Sequence, residues 1–196
     1  MGTLDIPGSK QVKKGIFEPK YSLFWVERIK KKLNLTKTPN RELTLVLDLD
    51  ETLIHSSKRA NYLVESSFQK GPKLNYYTRP FLEEFLDWAS SHFEVIIFTA
   101  ARKSYADCII DHLDPYNTLV HHRLYREHCI KVPEGFIKDL RVLGRDLAKV
   151  VIVDDSPVSF SSNIENGLQI KRWCGDTEDR ELLKLTEVLV ELFRYK

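Results

Sequence analysis

The sequence predicts an α/β fold, a doubly wound parallel sheet with helices on both faces. Three apolar runs, at residues 43–47, 93–98 and 150–153, have the continuous hydrophobic character of strands that are buried on both faces. Amphipathic segments with helical spacing lie between and after these runs, and strands that alternate with helices favour a parallel sheet. Each run also ends in polar residues, which suits a sheet with a functional edge.

Length and composition agree with one soluble globular domain. The chain has 196 residues, of which 42% are hydrophobic and 30% are charged. Its three cysteines, Cys108, Cys129 and Cys174, are not closely spaced, so neither a disulfide framework nor a zinc cluster is expected. A reducing compartment follows, and we expect a nuclear or cytoplasmic monomer. No apolar run approaches the length of a membrane span.

The charge is unevenly distributed along the chain. Residues 1–41 contain ten Lys or Arg and three Asp or Glu, a net charge of +7, whereas the whole chain carries +2. We therefore divide the chain into a basic N-terminal extension with a short helix, residues 1–40, and an α/β domain, residues 41–196. The extension could meet an acidic partner, a phospholipid surface or nucleic acid. We favour a solvated arm and expect no nucleic-acid binding, because no aromatic and basic recognition pattern accompanies it.

The first half of the chain contains two predicted elements beside the first strand. Residues 21–35 carry apolar side chains at helical spacing and predict an amphipathic helix at the edge of the sheet. β-type residues at 62–64 and 76–77 flank Gly71-Pro72, and they predict a small β-hairpin insertion near the end of the strand. No large cap domain is inserted.

Helices and short strands fill the remainder. Arg79-Pro80-Phe81 opens a helix, with Pro80 near its first turn. The side chains expected on the core face of that helix are Phe81, Leu82, Phe85, Leu86 and Trp88. Residues 103–113 predict a helix that ends at Asp114-Pro115, residues 119–129 are irregular or short-strand material, and residues 168–170 form a short fourth strand.

The last predicted helix begins at Thr177-Glu178-Asp179, where acidic residues suit a helix N-terminus. The side chains expected to face inward from it are Leu182, Leu183, Leu185, Val188, Leu189 and Leu192.

The strand at 43–47 ends in two aspartates, Asp48 and Asp50. Because a strand alternates its faces, these residues start out on the same side. Two carboxylates held close together repel each other, and a cation or a shared proton relieves that repulsion. The pattern therefore predicts a metal site with a nucleophilic carboxylate, although a surface turn capped by acids is the alternative reading of D-x-D alone.

The other two strands end in Thr99 and in Asp154-Asp155, and parallel strands bring all three ends to one edge. A hydroxyl, carboxylates and a nearby amine are what phosphoryl transfer requires. Mg²⁺ would neutralise the charge between a phosphate dianion and an attacking carboxylate. Asp48 would attack phosphorus to form an aspartyl-phosphate, and Asp50 would act as general acid and then as general base.

These motifs resemble those of the haloacid-dehalogenase (HAD) superfamily phosphatases, and in particular the C-terminal-domain small phosphatase and dullard-like branch. The first motif is Asp48-Leu49-Asp50-Glu51-Thr52, continued by Leu53-Ile54-His55-Ser56. The second, third and fourth motifs are Phe98-Thr99-Ala100-Ala101, Phe136-Ile137-Lys138-Asp139-Leu140 and Val151-Ile152-Val153-Asp154-Asp155-Ser156-Pro157. The match runs from about Leu43 to the C-terminus, and it implies a HAD-like fold with an FCP-homology phosphatase domain.

The resemblance implies a role for each site residue. Asp48 and Asp50 would be catalytic together with Thr99 and Lys138, and Asp154 would orient Lys138. The expected substrate-binding residues are Thr99, Ala100, Tyr105, Arg126 and Lys138. The expected metal ligands are the side chains of Asp48 and Asp155 and the backbone carbonyl of Asp50. The branch often has Asn where Asp155 stands.

The predicted function is that of a Mg²⁺-dependent protein serine/threonine phosphatase that works through an aspartyl-phosphate. A phosphoprotein is the expected partner, with the C-terminal domain of RNA polymerase II as one candidate. The insertion between His55 and Arg79 is shorter than in the polymerase-tail phosphatases, where it helps to form the peptide pocket, so the substrate does not carry over by analogy. The resemblance also offers a lipin-type substrate of the dullard-like relatives as an alternative. A catalytically inactive binding module is the competing class, and the intact motif residues argue against it.

Overall fold

The computed structural model describes residues 23–57, 62–64 and 74–194. The four helices in this part of the chain are α1 (Leu23–Leu33), α2 (Leu82–His92), α3 (Lys103–Leu113) and α4 (Glu181–Arg194). The strands are β1 (Thr44–Leu47), β2 (Ile54–Ser56), β3 (Tyr62–Val64), β4 (Leu74–Thr78), β5 (Glu94–Phe98), β6 (His122–Leu124), β7 (Ile130–Val132), β8 (Gly135–Ile137), β9 (Val150–Asp154) and β10 (Gly167–Gln169). The expectations for residues 1–20 fall outside the described residues.

A five-stranded parallel sheet in the order β10-β9-β1-β5-β6 forms the centre of the fold. β1 lies in the middle, and all four of its residues are buried, as expected for a strand covered on both faces. In the register of the sheet, Leu47 pairs with Ile97 of β5 and with Val153 of β9. The three strands therefore end at the same level, and the prediction of a doubly wound α/β sheet is confirmed.

Helices cover the two faces unequally. One face packs against α2, α3 and α4 through buried side chains such as Phe85, Ile109 and Leu185. The other face packs against Val26 and Ile29 of α1 and against a 3-10 turn at Leu140–Leu143. The expectation that this first helix lies at the edge of the sheet was wrong, because its apolar stripe covers a face beside Val46 in the central strand.

The predicted apolar faces of two helices were too wide. Phe81 precedes α2 with a positive φ of 65° and is 37% exposed, so it does not belong to the core face. In α4, Leu182 and Leu189 are buried. Three other residues that were expected to face inward are exposed, namely Leu183, Val188 and Leu192. The sheet covers only one stripe of this terminal helix, and apolar residues beside that stripe remain open to solvent.

The predicted β-hairpin insertion is a three-stranded antiparallel sheet in the order β2-β4-β3. The additional strand, β2, follows the turn after the D-x-D segment and was not predicted. A second small hairpin, β7 with β8, leads the chain back toward the edge of the main sheet. In the described part of the chain, none of the helices combines the length and apolar character needed to cross a bilayer.

Candidate active site

Asp48 lies immediately after β1, at the carboxyl edge of the sheet. Its backbone N–H donates to the Val153 carbonyl at 3.0 Å, which continues the pairing with β9 by one residue. Its side chain is 9% exposed. One carboxylate oxygen, Oδ2, accepts a hydrogen bond from the Thr52 hydroxyl at 3.2 Å. The backbone of the sheet and the following turn thus hold this carboxylate in one orientation.

Lys138 reaches the same point from the end of β8. Its ammonium donates to Asp48 Oδ1 at 2.5 Å and to Asp154 Oδ2 at 2.6 Å, and the side chain is 1% exposed. The Lys138 backbone N–H is itself anchored by the Ser159 carbonyl at 2.7 Å. A buried ammonium is therefore shared between two carboxylates at the carboxyl ends of neighbouring strands.

The charges of this cluster do not balance. Burial by itself would lower the pKa of Lys138, but the two neighbouring carboxylates raise it above its usual value. The ammonium therefore keeps its proton. One ammonium cannot neutralise two buried carboxylates. Accordingly, burial and the neighbouring Asp154 raise the pKa of Asp48 to about 7 although Lys138 opposes the rise. A further positive charge at this edge would favour the ionised form of Asp48.

Three carboxylates converge beside Lys138. Oxygen atoms of Asp48, Asp154 and Asp155 all lie within 4.8 Å of one another. Burial and the charge of Asp154 raise the pKa of Asp155, with Arg172 opposing. Oxygen ligands in a group of this size are the donor set that Mg²⁺ prefers, and the unbalanced negative charge suits a divalent cation. The residues that the structure brings together include the predicted ligands Asp48 and Asp155.

Asp50 lies at the mouth of the same edge, and its carboxylate does not join that group. Instead, Oδ1 accepts a hydrogen bond from the Tyr105 hydroxyl of α3 at 2.5 Å. The Ser56 hydroxyl contacts the same Tyr105 oxygen. Burial raises the pKa of Asp50, and the hydrogen bond from Tyr105 opposes that rise. Tyr105, which was predicted to bind substrate, is therefore in contact with the predicted general acid.

Thr99 and Ala100 follow β5. The Thr99 N–H donates to the Leu124 carbonyl at 3.0 Å, and its hydroxyl oxygen accepts from the Ala101 N–H at 2.9 Å. The Ala100 carbonyl accepts from Arg126 Nε at 2.6 Å. The Arg126 guanidinium lies over the Phe136 ring, 5.2 Å from its centroid. This arrangement holds a cation beside the Thr99 turn.

A cleft of about 590 Å³ joins these groups, and we name it the catalytic cleft. Its wall includes every predicted site residue: Asp48, Asp50, Thr99, Ala100, Tyr105, Arg126, Lys138 and Asp155. Two further arginines, Arg102 and Arg172, also line it. Sequence reasoning missed both, because neither belongs to a motif; the one visible signal was that Arg102 directly follows the second motif.

Arg79 is a third residue whose role sequence reasoning did not identify. It is 1% exposed and donates from Nη1 to the Thr52 carbonyl at 2.9 Å. It therefore supports the turn that presents Asp48 without lining the catalytic cleft. The only signal for this role was a charged residue directly before a predicted helix.

A parallel sheet with these side chains at its carboxyl edge is the architecture of HAD-type phosphatases. The model of the NLI interacting factor-like phosphatases matches residues 43–196, and the chain belongs to this family.

Similar proteins support that assignment. The chain is 44% identical over 156 residues to CTD small phosphatase-like protein 2 of Dictyostelium discoideum, covering 77% of this chain and 27% of that protein. It is 44% identical over 153 residues to CTD small phosphatase-like protein 3 of Caenorhabditis elegans, covering 76% and 53%. It is 38% identical over 163 residues to the mouse carboxy-terminal domain RNA polymerase II polypeptide A small phosphatase 2, covering 81% and 60%. The chain thus spans between about a quarter and three fifths of these relatives.

Solved structures show the same fold. The RNA polymerase II CTD phosphatase Fcp1 superposes with a TM-score of 0.54 at 23% sequence identity, over 87% of this chain and 52% of that one. A structure of fission yeast Fcp1 bound to beryllium fluoride has the same TM-score at 21% identity, over 87% and 53%.

Proposed function

We propose that this protein is a Mg²⁺-dependent phosphatase that hydrolyses phosphoserine or phosphothreonine in proteins through an aspartyl-phosphate on Asp48. The observation that carries the proposal is the buried ammonium of Lys138, shared between Asp48 and Asp154 at the carboxyl edge of the sheet. A buried, hydrogen-bonded carboxylate beside a cation is suited to attack a phosphate.

The carboxylates fit a magnesium ion. Asp48, Asp154 and Asp155 offer oxygen donors within 4.8 Å of one another, and their negative charge exceeds that of the single ammonium beside them. Asp48 and Asp155, with the Asp50 carbonyl, would hold the ion as the resemblance implies. When bound, Mg²⁺ would supply charge neutralisation for the phosphate and for the attacking carboxylate.

The residues of the chain would then divide the work. Asp48 Oδ attacks phosphorus, and the bond from phosphorus to the seryl or threonyl oxygen breaks. Asp50 gives its proton to the leaving oxygen and later removes a proton from the water that hydrolyses the aspartyl-phosphate. Lys138 stabilises the negative charge on the phosphoryl oxygens, and the Thr99 hydroxyl and Arg126 orient them.

The form of the catalytic cleft supports a macromolecular substrate. The part of the chain that the structure describes contains only a small β-sheet beside the cleft, with no large domain over it. The relatives named after the RNA polymerase II C-terminal domain make a phosphorylated peptide of that kind our first candidate, with a nuclear or cytoplasmic location. The phosphoprotein is the proposed partner, and we expect the enzyme to act as a monomer.

The test is hydrolysis of p-nitrophenyl phosphate with Mg²⁺, with a chelator, and by the Asp48→Asn variant. We expect hydrolysis to require both the metal and Asp48. The matched control is Asp87→Asn, which changes an exposed aspartate on α2 and is expected to keep wild-type activity. The second stage compares phosphoseryl and phosphothreonyl peptides with p-nitrophenyl phosphate.

Two outcomes would contradict the proposal. Activity that survives both the chelator and Asp48→Asn would mean a different chemistry. A folded protein that binds phosphopeptides and hydrolyses neither substrate in Mg²⁺ would be the inactive binding module instead.

A further inference from the structure

A second group of metal-ligating side chains lies beside the catalytic cleft. It consists of Glu51, His55 and Cys174, whose ligand atoms all lie within 4.8 Å of one another. His55 Nδ1 is 3.0 Å from Glu51 Oε1, and the Cys174 thiol donates to Glu51 Oε2 at 3.0 Å. A thiol, an imidazole and a carboxylate thus meet around one carboxyl group.

The backbone holds these three residues in place. Glu51 has a positive φ of 65°, and its N–H donates to the Ile54 carbonyl at 2.7 Å. The Glu51 carbonyl accepts from the Trp173 N–H at 2.8 Å, which fixes the neighbouring Cys174 beside it. His55 lies in β2 and packs edge-on against the Trp173 ring. The three ligands therefore come from segments that are already joined, and little ordering is needed to bind a metal.

The donor set differs from that of the catalytic centre. Asp48, Asp154 and Asp155 offer only hard oxygen donors, which suit Mg²⁺, whereas sulfur and imidazole nitrogen suit Zn²⁺. Zinc ligand bonds of about 2.0 to 2.3 Å place the ligand atoms roughly 3 to 4 Å apart, close to the spacing here. Cys174 is exposed, so water can complete a four-coordinate site.

We propose that Glu51, His55 and Cys174 form a zinc-binding site at the rim of the catalytic cleft, separate from the carboxylates that serve catalysis. On binding, the Cys174 thiol releases its proton to solvent and its sulfur bonds the metal. Bound zinc would join the turn that follows Asp50 to the segment that precedes α4. Arg172 competes with the metal for the Glu51 carboxylate, because its Nε is 3.6 Å from Glu51 Oε2. Its side chain is 66% exposed, however, and can move aside.

The test uses Co²⁺ as a spectroscopic substitute for Zn²⁺, in excess Mg²⁺, on the full chain. We expect one equivalent of Co²⁺ to give a thiolate-to-cobalt charge-transfer absorption, and Zn²⁺ to abolish it by displacement. Cys174→Ser should lose the absorption, and His55→Gln should weaken cobalt affinity at least about tenfold. A melting temperature that rises with Zn²⁺ in the wild type and stays constant in Cys174→Ser is the second readout.

The control is Cys129→Ser. Cys129 lies near the catalytic carboxylates, where burial raises its pKa to about 12. If cobalt bound at the catalytic centre instead, the absorption would depend on Cys129 and would survive Cys174→Ser. That result would overturn the proposal, as would a wild type that gives no thiolate absorption and no zinc-dependent stabilisation.

Discussion

Arg79 and Asp179 form a bidentate ion pair that is closed to solvent. Arg79 Nε donates to Oδ1 of Asp179 at 2.7 Å and Nη2 donates to Oδ2 at 2.9 Å, with side-chain exposures of 0% and 2%. The same guanidinium donates to the carbonyls of Thr52 and Lys171, both at 2.9 Å. One side chain therefore connects the turn after Asp48, the start of α2 and the segment before α4.

Removing this cation should destabilise the fold. Arg79→Met leaves Asp179 buried without its partner, and we expect a loss of about 3 kcal/mol in the free energy of unfolding. Urea denaturation measures it. As a control, Lys184→Ala breaks an exposed pair with Glu181 and should change the free energy of unfolding far less than Arg79→Met. The double variant Arg79→Met/Asp179→Leu should recover part of the lost stability. Equal losses of unfolding free energy in Arg79→Met and in the control Lys184→Ala would contradict this account.

Lys138→Met should abolish most turnover. The variant removes the charge that faces the developing phosphoryl oxygens and leaves Asp48 and Asp154 uncompensated. Loss of one such donor lowers kcat by about 10²-fold or more. The comparison is Lys103→Met, an exposed lysine at the start of α3 that lies outside the catalytic cleft. Near-normal p-nitrophenyl phosphate hydrolysis by a folded Lys138→Met variant would remove the assignment.

Arg126→Ala should weaken phosphate recognition. Its guanidinium is held by the Ala100 carbonyl and by the Phe136 ring, so the cation is already oriented toward the Thr99 turn. We expect kcat/KM to fall by about 10- to 100-fold, in line with loss of a charge-assisted contact of about 1.5–3 kcal/mol. Steady-state kinetics with Arg102→Ala provides the matched comparison, because Arg102 lines the same cleft on an exposed position. Equal losses of kcat/KM in the two variants would contradict a specific role for Arg126, and would indicate that any positive charge lining the cleft has the same effect.

Tyr105→Phe separates two roles for that tyrosine. If its hydroxyl positions Asp50, through the 2.5 Å hydrogen bond, the variant should lower kcat by about tenfold and change KM little. If the ring binds substrate instead, Phe preserves that contact and both constants stay near wild type. The measurement is the separate determination of kcat and KM with a phosphopeptide, with Tyr105→Ala as the variant that also removes the ring.

Glu94 should contribute to stability in a pH-dependent way. Burial by itself would raise the pKa of Glu94, but hydrogen bonds from Arg145 and His122 lower it well below its usual 4.5. A lowered pKa in the folded state stabilises the protein above pH 4.5, and the contribution disappears as the pH falls through the folded-state value. Glu94→Gln should therefore be less stable at neutral pH, with a difference that shrinks in acid. A difference in unfolding free energy that stays constant to the lowest pH at which both fold would disprove this.

Local patterns were sufficient for most elements of the fold. Continuous apolar runs identified β1, β5 and β9, and the Asp114-Pro115 stop placed the end of α3 at Leu113 as observed. The polar residue after each strand also placed the candidate site at one edge. Local patterns failed where burial depends on neighbours, as at Leu183 and Leu192, whose apolar character does not reveal that the sheet leaves them exposed.

From the order of its motifs alone, the chain specifies which side chains meet at the carboxyl edge of the sheet, because parallel strands in register must end together. It does not specify which partner each side chain takes. That Asp154 shares Lys138 with Asp48, that Asp50 pairs with Tyr105, and that Cys174 lies beside Glu51 depend on the paths by which distant segments return. Those contacts join residues 16 to 123 positions apart, and no local periodicity encodes them.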